Sequence, residues 1–183
     1  MFATITKRSL DKELNPNFTL VELLVVIAII SLLMGMLIPA LSAAKRKSLA
    51  TKCAGNLSGL GTAVQVYLGD YNEVMPEVAE MPSLGLNTFP RLCDVFEPFV
   101  KTKQIFLCPS DPEGKYYTSE GCSYEYNTHL GGRKISDDML YKELGISKTF
   151  VMYDYDNFHG KSGKPGARNY LFADGHVGDL ADD

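Results

Sequence analysis

An uncharged apolar run near the N-terminus constrains this chain more than any other feature. The 22 residues from Leu23 to Ala44 contain no acidic or basic side chain. A helix rises about 1.5 Å per residue, so this run would be about 33 Å long, against a bilayer hydrocarbon core of about 30 Å. The run is therefore predicted to cross a membrane once.

The remainder has the composition of a folded, acidic domain. Of the 183 residues, 45% are hydrophobic and 22% are charged, which is typical of globular proteins and excludes a disordered or collagen-like chain. The chain carries a net charge of −4, of which the first 52 residues contribute +4, so residues 53–183 carry −8. Because binding to phosphate requires a basic face, we expect no nucleic-acid partner.

A cleaved secretory signal peptide is the alternative interpretation of the run. Residues 40–44, Ala-Leu-Ser-Ala-Ala, resemble a signal-peptidase site, and basic residues precede the run. The run is longer than the roughly 7–15 apolar residues of a signal peptide, and apolar helical spacing continues past residue 44. We therefore favour a membrane anchor, with a short tail inside the cell and the large domain outside.

The start of the run carries a specific motif. Residues 17–30 read Asn-Phe-Thr-Leu-Val-Glu-Leu-Leu-Val-Val-Ile-Ala-Ile-Ile. This segment closely resembles the processing and assembly signal of type IV pilins and type II secretion pseudopilins. The resemblance implies that a prepilin peptidase cuts between Asn17, where the family usually has Gly, and Phe18, and then methylates Phe18. It also implies an assembly role for Glu22 and a helix kink at Pro39.

The physical chemistry of Glu22 favours the same role. A carboxylate costs on the order of 3 kcal/mol at the bilayer centre and less near the interface, so it needs a partner. Cleavage before Phe18 would supply one, because a free α-amino group has a pKa of about 8 and is largely cationic. The alternative is local: Thr19-x-x-Glu22 has the spacing of a helix capping box, and the two roles are compatible.

Beyond the span the helix is predicted to continue to about residue 71. Apolar side chains recur there every three or four residues, the pattern of a helix lying on a core. They are Leu49, Cys53, Leu57, Leu60, Val64, Leu68 and Tyr71. Gly55, Gly59 and Gly61 each weaken a helix by about 1 kcal/mol relative to Ala, so tertiary packing must hold this stretch.

Short elements are predicted downstream. Helices are expected at 91–97 and at 136–144, the second capped by Ser136, and strands at 104–108, 123–127, 149–155, 169–173 and 176–180. Asp174-Gly175 predicts a type I′ hairpin turn. The predicted fold class is therefore α+β, with a long N-terminal helix packed on a small antiparallel sheet. The predicted domains are a leader at 1–17, a transmembrane and assembly helix at 18–44, and an extracytoplasmic domain at 45–183.

Further segments extend the resemblance to the C-terminal part. They are Cys53-Ala-Gly-Asn-Leu, Tyr67-Leu-Gly-Asp-Tyr-Asn, Phe106-Leu-Cys-Pro-Ser-Asp-Pro, Ser123-Tyr-Glu-Tyr-Asn and Asn169-Tyr-Leu-Phe-Ala-Asp-Gly-His-Val. These segments are similar to pilin-like proteins abundant in planctomycete-type bacteria, whose tail is known as an H-X9-DG domain. The implied tail-motif residues are His159, Asp174, Gly175 and His176. Fourteen residues rather than nine separate His159 from Asp174, so either a longer loop carries the motif histidine or its role is lost.

All four cysteines follow the predicted span. Cys53, Cys93, Cys108 and Cys122 are disulfide candidates, which fits an oxidising exterior where disulfides persist. Four cysteines allow three pairings, and the sequence does not choose among them.

The sequence gives only weak indications of a metal-binding or catalytic site. Asp154, Asp156 and Asp174 are candidate oxygen ligands for calcium, which occurs in the resembling major pseudopilins, but no EF-hand loop is present. His159 and His176 with Asp174 are a weak alternative for a transition metal. We expect no cofactor, since solvated loop acids are the simpler interpretation. A nucleophilic site of Cys108, His159 and Asp174 is disfavoured because an exported cysteine is more often disulfide-bonded, so no enzymatic activity is expected.

The resemblance implies a structural subunit of a type IV pilus-like filament or type II secretion pseudopilus. Its expected partners are copies of itself, other pilin-like subunits, prepilin peptidase, the inner-membrane assembly machinery and membrane lipid. Its expected location is the inner membrane, crossed once, with the C-terminal domain in the periplasm or on the cell surface in a filament. The alternative is an uncleaved membrane-anchored extracytoplasmic domain that binds a ligand or metal.

Overall fold

The computed structural model of the chain describes residues 19–180. The processing site predicted at Asn17 and Phe18 lies outside these residues. The chain divides into two compact units, Met1–Ser42 and Ala43–Asp183. One helix belongs to both units, and the sheet lies in the second.

The first helix, α1, is as long as the sequence predicts. It comprises Leu20–Asp70 and remains helical through Pro39. A proline removes one hydrogen bond of the helical ladder, which a long helix tolerates when its neighbouring turns are intact. The predicted end near residue 71 is confirmed.

The second half of α1 buries one face in the domain core. Cys53, Leu57, Leu60 and Val64 are each at most 2% exposed, which confirms the predicted stripe over these residues. Tyr71, which was predicted to continue the stripe, is 52% exposed. It follows the last helical residue and stacks on Tyr67, with the ring centroids 4.1 Å apart.

The sheet has four short antiparallel strands within the described residues. They are β1 (Tyr124–Tyr126), β2 (Phe150–Asp154), β3 (Tyr170–Phe172) and β4 (Val177–Gly178), in the order β1-β2-β3-β4. Each strand therefore pairs with its neighbour in sequence. The strands predicted at 123–127, 149–155, 169–173 and 176–180 are confirmed.

The inner face of the sheet packs on α1. Tyr124, Val151, Met152 and Leu171 are at most 1% exposed and join the helix side chains in one core. Residues from the connecting segments complete this core, among them Met75, Leu92, Phe96, Phe106 and Leu130. The predicted α+β class, with a long helix on a small antiparallel sheet, is confirmed.

The other helices of the described residues are short. The α-helices are α2 (Leu92–Phe96), α3 (Lys115–Glu120) and α4 (Met139–Leu144). The 3₁₀ helices are Pro82–Leu84, Glu97–Phe99, Lys103–Phe106, Pro112–Gly114, Thr128–Leu130, Ile135–Asp137 and Ile146–Lys148. The helix predicted at 91–97 is confirmed as α2.

The strand predicted at 104–108 is wrong. The segment forms the 3₁₀ helix Lys103–Phe106, because the Thr102 side chain accepts a hydrogen bond from the Gln104 N–H at 3.3 Å and caps its start. A single backbone bond, from the Ser123 N–H to the Phe106 carbonyl, joins it to the chain that enters β1.

The cap predicted for the 136–144 helix is also wrong. Ser136 lies in a separate 3₁₀ turn, and Asp138 caps α4 by accepting a hydrogen bond from the Tyr141 N–H at 3.3 Å. Asp and Ser are comparable N-cap residues, so the pattern alone did not choose between them.

The hairpin between β3 and β4 has a different turn from the predicted one. A type I′ turn requires a positive φ at both central residues, but φ is positive at Gly175, at 90°, and not at Asp174. The Gly175 N–H donates to the Phe172 carbonyl, and the Phe172 N–H donates to the His176 carbonyl. The connection is therefore a three-residue loop with glycine in the left-handed position.

Candidate functional sites

The N-terminal part of α1 exposes an apolar surface. Large apolar side chains between Leu20 and Leu41 are 45–78% exposed. By length and composition, α1 is one helix able to cross a membrane. Contact of such a surface with water is unfavourable, so lipid or other apolar side chains are expected to cover it.

Glu22 lies at the start of this surface and closes a capping box with Thr19. The Glu22 carboxylate accepts hydrogen bonds from the Thr19 N–H and hydroxyl, both at 2.8 Å. The Thr19 hydroxyl oxygen accepts in return from the Glu22 N–H at 3.2 Å. Glu22 therefore takes part in the capping box that the sequence suggests. Its side chain remains exposed.

In the domain, one disulfide joins α1 to the segment before α3. It connects Cys53 to Cys108, whose Cα atoms are 5.0 Å apart, and both residues are fully buried. The structure thus selects one pair from the four candidates. Cys93 and Cys122 are free thiols. Burial raises the pKa of both thiols, which keeps them protonated and poorly reactive at neutral pH.

A buried carboxylate and imidazole adjoin this disulfide. The His159 Nε2 lies 3.1 Å from the Asp154 Oδ2 and 3.8 Å from the Cys108 Sγ. The side chain of His159 is 3% exposed and that of Asp154 is fully buried. Asp154 ends β2, and the loop before β3 brings His159 back beside it.

Asn169 holds the Asp154 carboxylate in place. Its backbone N–H and its side-chain amide donate to Asp154 Oδ2 at 2.7 and 2.9 Å. Two buried atoms of the cluster, Asp154 Oδ1 and His159 Nδ1, have no hydrogen-bond partner among the described residues. A buried polar atom without a partner costs about 1–3 kcal/mol.

The cluster does not have the geometry of a catalytic triad. A triad requires the carboxylate and the nucleophile on opposite ring nitrogens, whereas Asp154 and Cys108 both approach Nε2 of His159. The Cys108 sulfur is also bonded to Cys53. The carboxylate that the sequence suggested for a nucleophilic site, Asp174, has a different partner.

The predicted tail motif is therefore divided between two places. Asp174 and His176 lie in the exposed hairpin loop, where the Asp174 carboxylate is 2.6 Å from the His176 Nδ1. The His176 ring stacks on Phe172 at a centroid distance of 4.3 Å. Gly175 supplies the turn between them, while His159 belongs to the buried cluster.

The third acidic candidate, Asp156, has partners of its own. It accepts hydrogen bonds from the Asn157 N–H at 2.7 Å and the Tyr116 hydroxyl at 2.9 Å, and Arg168 lies 4.0 Å away. These donors, the backbone N–H foremost, lower the pKa of Asp156. Asp154, Asp156 and Asp174 thus each bind separate partners, and calcium binding by the three together stays a prediction.

Sequence reasoning missed Asn169 as a site residue. It appeared as the first residue of a predicted strand and of the quoted tail segment, without a role, and its partner, Asp154, lies 15 residues away on another strand. The pairing of β2 with β3 brings the two together. The residue pattern alone contained no signal for this contact.

Comparison with known proteins gives one informative similarity. The chain is 40% identical over 74 residues to a type IV wide pilus major component of Thermus thermophilus. The matched segment makes up 40% of this chain and 56% of that protein, so the chain spans about half the length of the curated relative it matches. No family model matches the sequence, and no solved structure matches it either.

Proposed function

We propose that this chain is a structural, non-enzymatic subunit of a type IV pilus-like filament or a type II secretion pseudopilus. The observation that carries the proposal is the exposed apolar surface of α1 between Leu20 and Leu41. The similarity to a type IV wide pilus major component supports it independently.

The apolar surface suits two successive environments. In a bilayer, lipid covers it, and a helix of this length reaches across the hydrocarbon core. In a filament, the same side chains would pack against the helices of neighbouring subunits. Burial of each such side chain is worth about 1.5–3 kcal/mol relative to water, so the helix leaves lipid only if protein replaces it.

Glu22 is the proposed determinant of subunit register. It is the one charged residue between Thr19 and Ala44, and its side chain is exposed. Cleavage by a prepilin peptidase between Asn17 and Phe18 would create an α-amino group that pairs with Glu22 of a neighbouring subunit. This pair would neutralise two charges within an apolar bundle and fix the stagger between helices.

The domain that follows is suited to the outside of the cell. Its disulfide, Cys53–Cys108, persists in an oxidising compartment. We place the subunit in the inner membrane before assembly, with this domain in the periplasm and later on the cell surface. Its partners are then its own copies, other pilin-like subunits and the inner-membrane assembly machinery, and its acidic charge disfavours nucleic acid.

Substitutions at Glu22 separate the assembly role from the capping role. Glu22→Gln removes the charge but keeps an acceptor for Thr19, since Gln serves in a capping box. We expect the Gln variant to reach the membrane at the wild-type level and to be lost from the sheared filament fraction. Thr19→Ala, which weakens the cap and keeps the charge, should still assemble.

The readout is the amount of each variant in the membrane and sheared fractions of cells that assemble the wild type. Normal assembly of Glu22→Gln would contradict the pairing proposal. Loss of assembly in Thr19→Ala together with normal assembly of Glu22→Gln would assign Glu22 to the helix cap alone.

A further inference from the structure

The α1 helix carries a cluster of basic side chains directly after its apolar run. Lys45, Arg46 and Lys47 follow Ala44 without a gap, and Lys52 comes five residues later. All four basic side chains are exposed. We call these four residues the basic collar.

The basic collar has no acidic neighbour on its own helix. After Glu22, the next acidic residue of the chain is Asp70, the last residue of α1, so no carboxylate lies within several helical turns of the collar. Exposed bases on a helix are stabilised by an acid three or four residues away, and the sequence offers none here.

The rest of the domain does not neutralise the collar either. Within the described residues 19–180, no salt bridge includes a collar residue, whereas other basic side chains of the domain do have carboxylate partners. These pairs are Arg91–Asp94, Lys103–Glu97, Lys134–Glu73 and Arg168–Asp156. The collar is therefore a local concentration of positive charge next to a segment, residues 53–183, that carries −8. An anion that pairs with it has to come from another molecule.

The place of the collar along α1 is that of lipid headgroups. A bilayer is about 40–45 Å thick with its headgroups and about 30 Å thick without them, which leaves about 5–7 Å for each headgroup layer. Along a helix, Lys45 to Lys47 lie about 2–5 Å beyond the end of the apolar run, and Lys52 lies about 12 Å beyond it. Helical side chains lean toward the N-terminus, so the long side chain of Lys52 can extend back toward the same layer.

We propose that the basic collar binds the phosphate groups of anionic phospholipids in the leaflet on the domain side of the membrane. Its charge is complementary to a headgroup whose phosphodiester is not neutralised by choline or ethanolamine. The competing partner is the acidic domain of a second copy. The depth of the collar favours lipid, because lipid contact requires no assembly. This inference rests on the membrane anchor within the proposed function and not on the filament.

The test measures the lipid preference of the full chain in phosphatidylcholine bilayers. Trace amounts of spin-labelled phosphatidylglycerol or phosphatidylcholine are added, and electron paramagnetic resonance gives the relative association constant of the two lipids with the protein. One Lys or Arg near an anionic surface is worth about 1 kcal/mol, which is about fivefold in an association constant. We expect phosphatidylglycerol to be preferred at least about fivefold at about 0.01 M salt, and this preference to be lost at about 1 M, where the Debye length is about 3 Å.

Lys45→Gln/Arg46→Gln/Lys47→Gln removes three charges of the collar. Gln is a good helix former, so α1 should remain helical, which circular dichroism checks. The preference for phosphatidylglycerol should fall by at least about threefold. The matched control, which removes the same charge from exposed positions of the domain, should keep the wild-type preference. It is Lys142→Gln/Lys161→Gln/Lys164→Gln.

Three outcomes would overturn the proposal. They are equal lipid preferences of the collar and control variants, a wild-type preference that persists at 1 M salt, and loss of the preference when inorganic phosphate replaces chloride at constant ionic strength. The last result would indicate a site for free phosphate. A preference seen only at protein densities at which chains crosslink to one another would assign the collar to a second copy instead.

Protease digestion of the same bilayers separates this proposal from the membrane anchor. Protection of the 23–44 segment without a lipid preference would overturn the collar proposal alone. Digestion of that segment would overturn the anchor as well.

Discussion

Glu125 is an acid whose environment disfavours its charge. It lies in the middle of β1, opposite Tyr153 on β2, with its side chain half-buried. Burial raises the pKa of Glu125, and the Glu80 and Glu120 carboxylates raise it further, while a hydrogen bond from Tyr153 opposes them. The folded state therefore binds this proton more tightly than the unfolded state does.

This raised pKa predicts how stability depends on pH. The contribution of Glu125 to stability is fully present below its ordinary pKa of 4.5, and it is lost as pH rises through the higher pKa of the folded state. Glu125→Gln, which cannot ionise, should lack this loss. Denaturant titrations from acid to neutral pH should show the Gln variant gaining stability relative to wild type as pH rises.

Glu143→Gln is the matched control, because Glu143 is exposed on α4. Its pH profile should follow that of the wild type. A Glu125→Gln profile parallel to the wild type would contradict the assigned environment.

At this scale, the sequence identified the residue types of the site but not their partners. It grouped His159 with Asp174, whereas the structure pairs His159 with Asp154 and Asp174 with His176. The loop of residues 160–166 returns the chain so that the His159 N–H donates to the Ala167 carbonyl. The position to which such a loop brings the chain depends on tertiary packing. The spacing of residues in the sequence does not predict it.

At the scale of elements, glycine allows α1 to approach the sheet closely. A Cβ atom on Gly61 would lie 2.8 Å from the Leu171 Cδ1, inside the core, while one on Gly55 would meet nothing within 4 Å. Both positions are helical, so alanine gains about 1 kcal/mol of helix propensity at each. Only at Gly61 does it also cause overpacking, which costs about 1–3 kcal/mol.

We therefore expect Gly61→Ala to be less stable than Gly55→Ala. Gly55→Ala should raise the urea midpoint of the domain transition, and Gly61→Ala should lie below Gly55→Ala by about 1–3 kcal/mol. Equal stabilisation by both substitutions would show that α1 does not press on β3 as described.

Long periodic elements could be predicted from the sequence, and short ones only in part. The stripe from Cys53 to Val64 and the strands around the Asp174-Gly175 turn follow from side-chain patterns that burial enforces. The 104–108 segment has a strand-like composition, but the Thr102 cap makes it a 3₁₀ helix. The α3 helix was missed because Asp111, which accepts hydrogen bonds from the Tyr116 and Tyr117 N–H groups, lies among turn residues.

At the scale of the whole molecule, the disulfide links distant parts of the domain chain. Cys53 and Cys108 are separated by 55 positions. Closing a loop of this length restricts the unfolded chain and stabilises the folded state by about 4 kcal/mol in the chain-entropy model.

A Cys53→Ser/Cys108→Ser variant should lose about that amount of unfolding free energy, measured by denaturant titration of the full chain. Cys93→Ser, which removes a free and only partly buried thiol, should change stability by less than about 1 kcal/mol. Equal losses in the two variants would contradict the assigned pairing.

The two units of the molecule differ in what they require from their surroundings. The domain buries a core of its own apolar side chains, whereas the large apolar side chains of α1 between Leu20 and Leu41 are exposed. A subunit that moves from lipid into a helical bundle accounts for this difference. An anchored domain that never leaves the membrane accounts for it as well, so processing at the N-terminus separates the two accounts.

The most direct test is the mass of the mature N-terminus of the protein isolated from its native cells. The filament-subunit account predicts a chain that begins at N-methylated Phe18. A chain that begins at Met1 and stays in the membrane fraction would contradict it and favour an anchored domain.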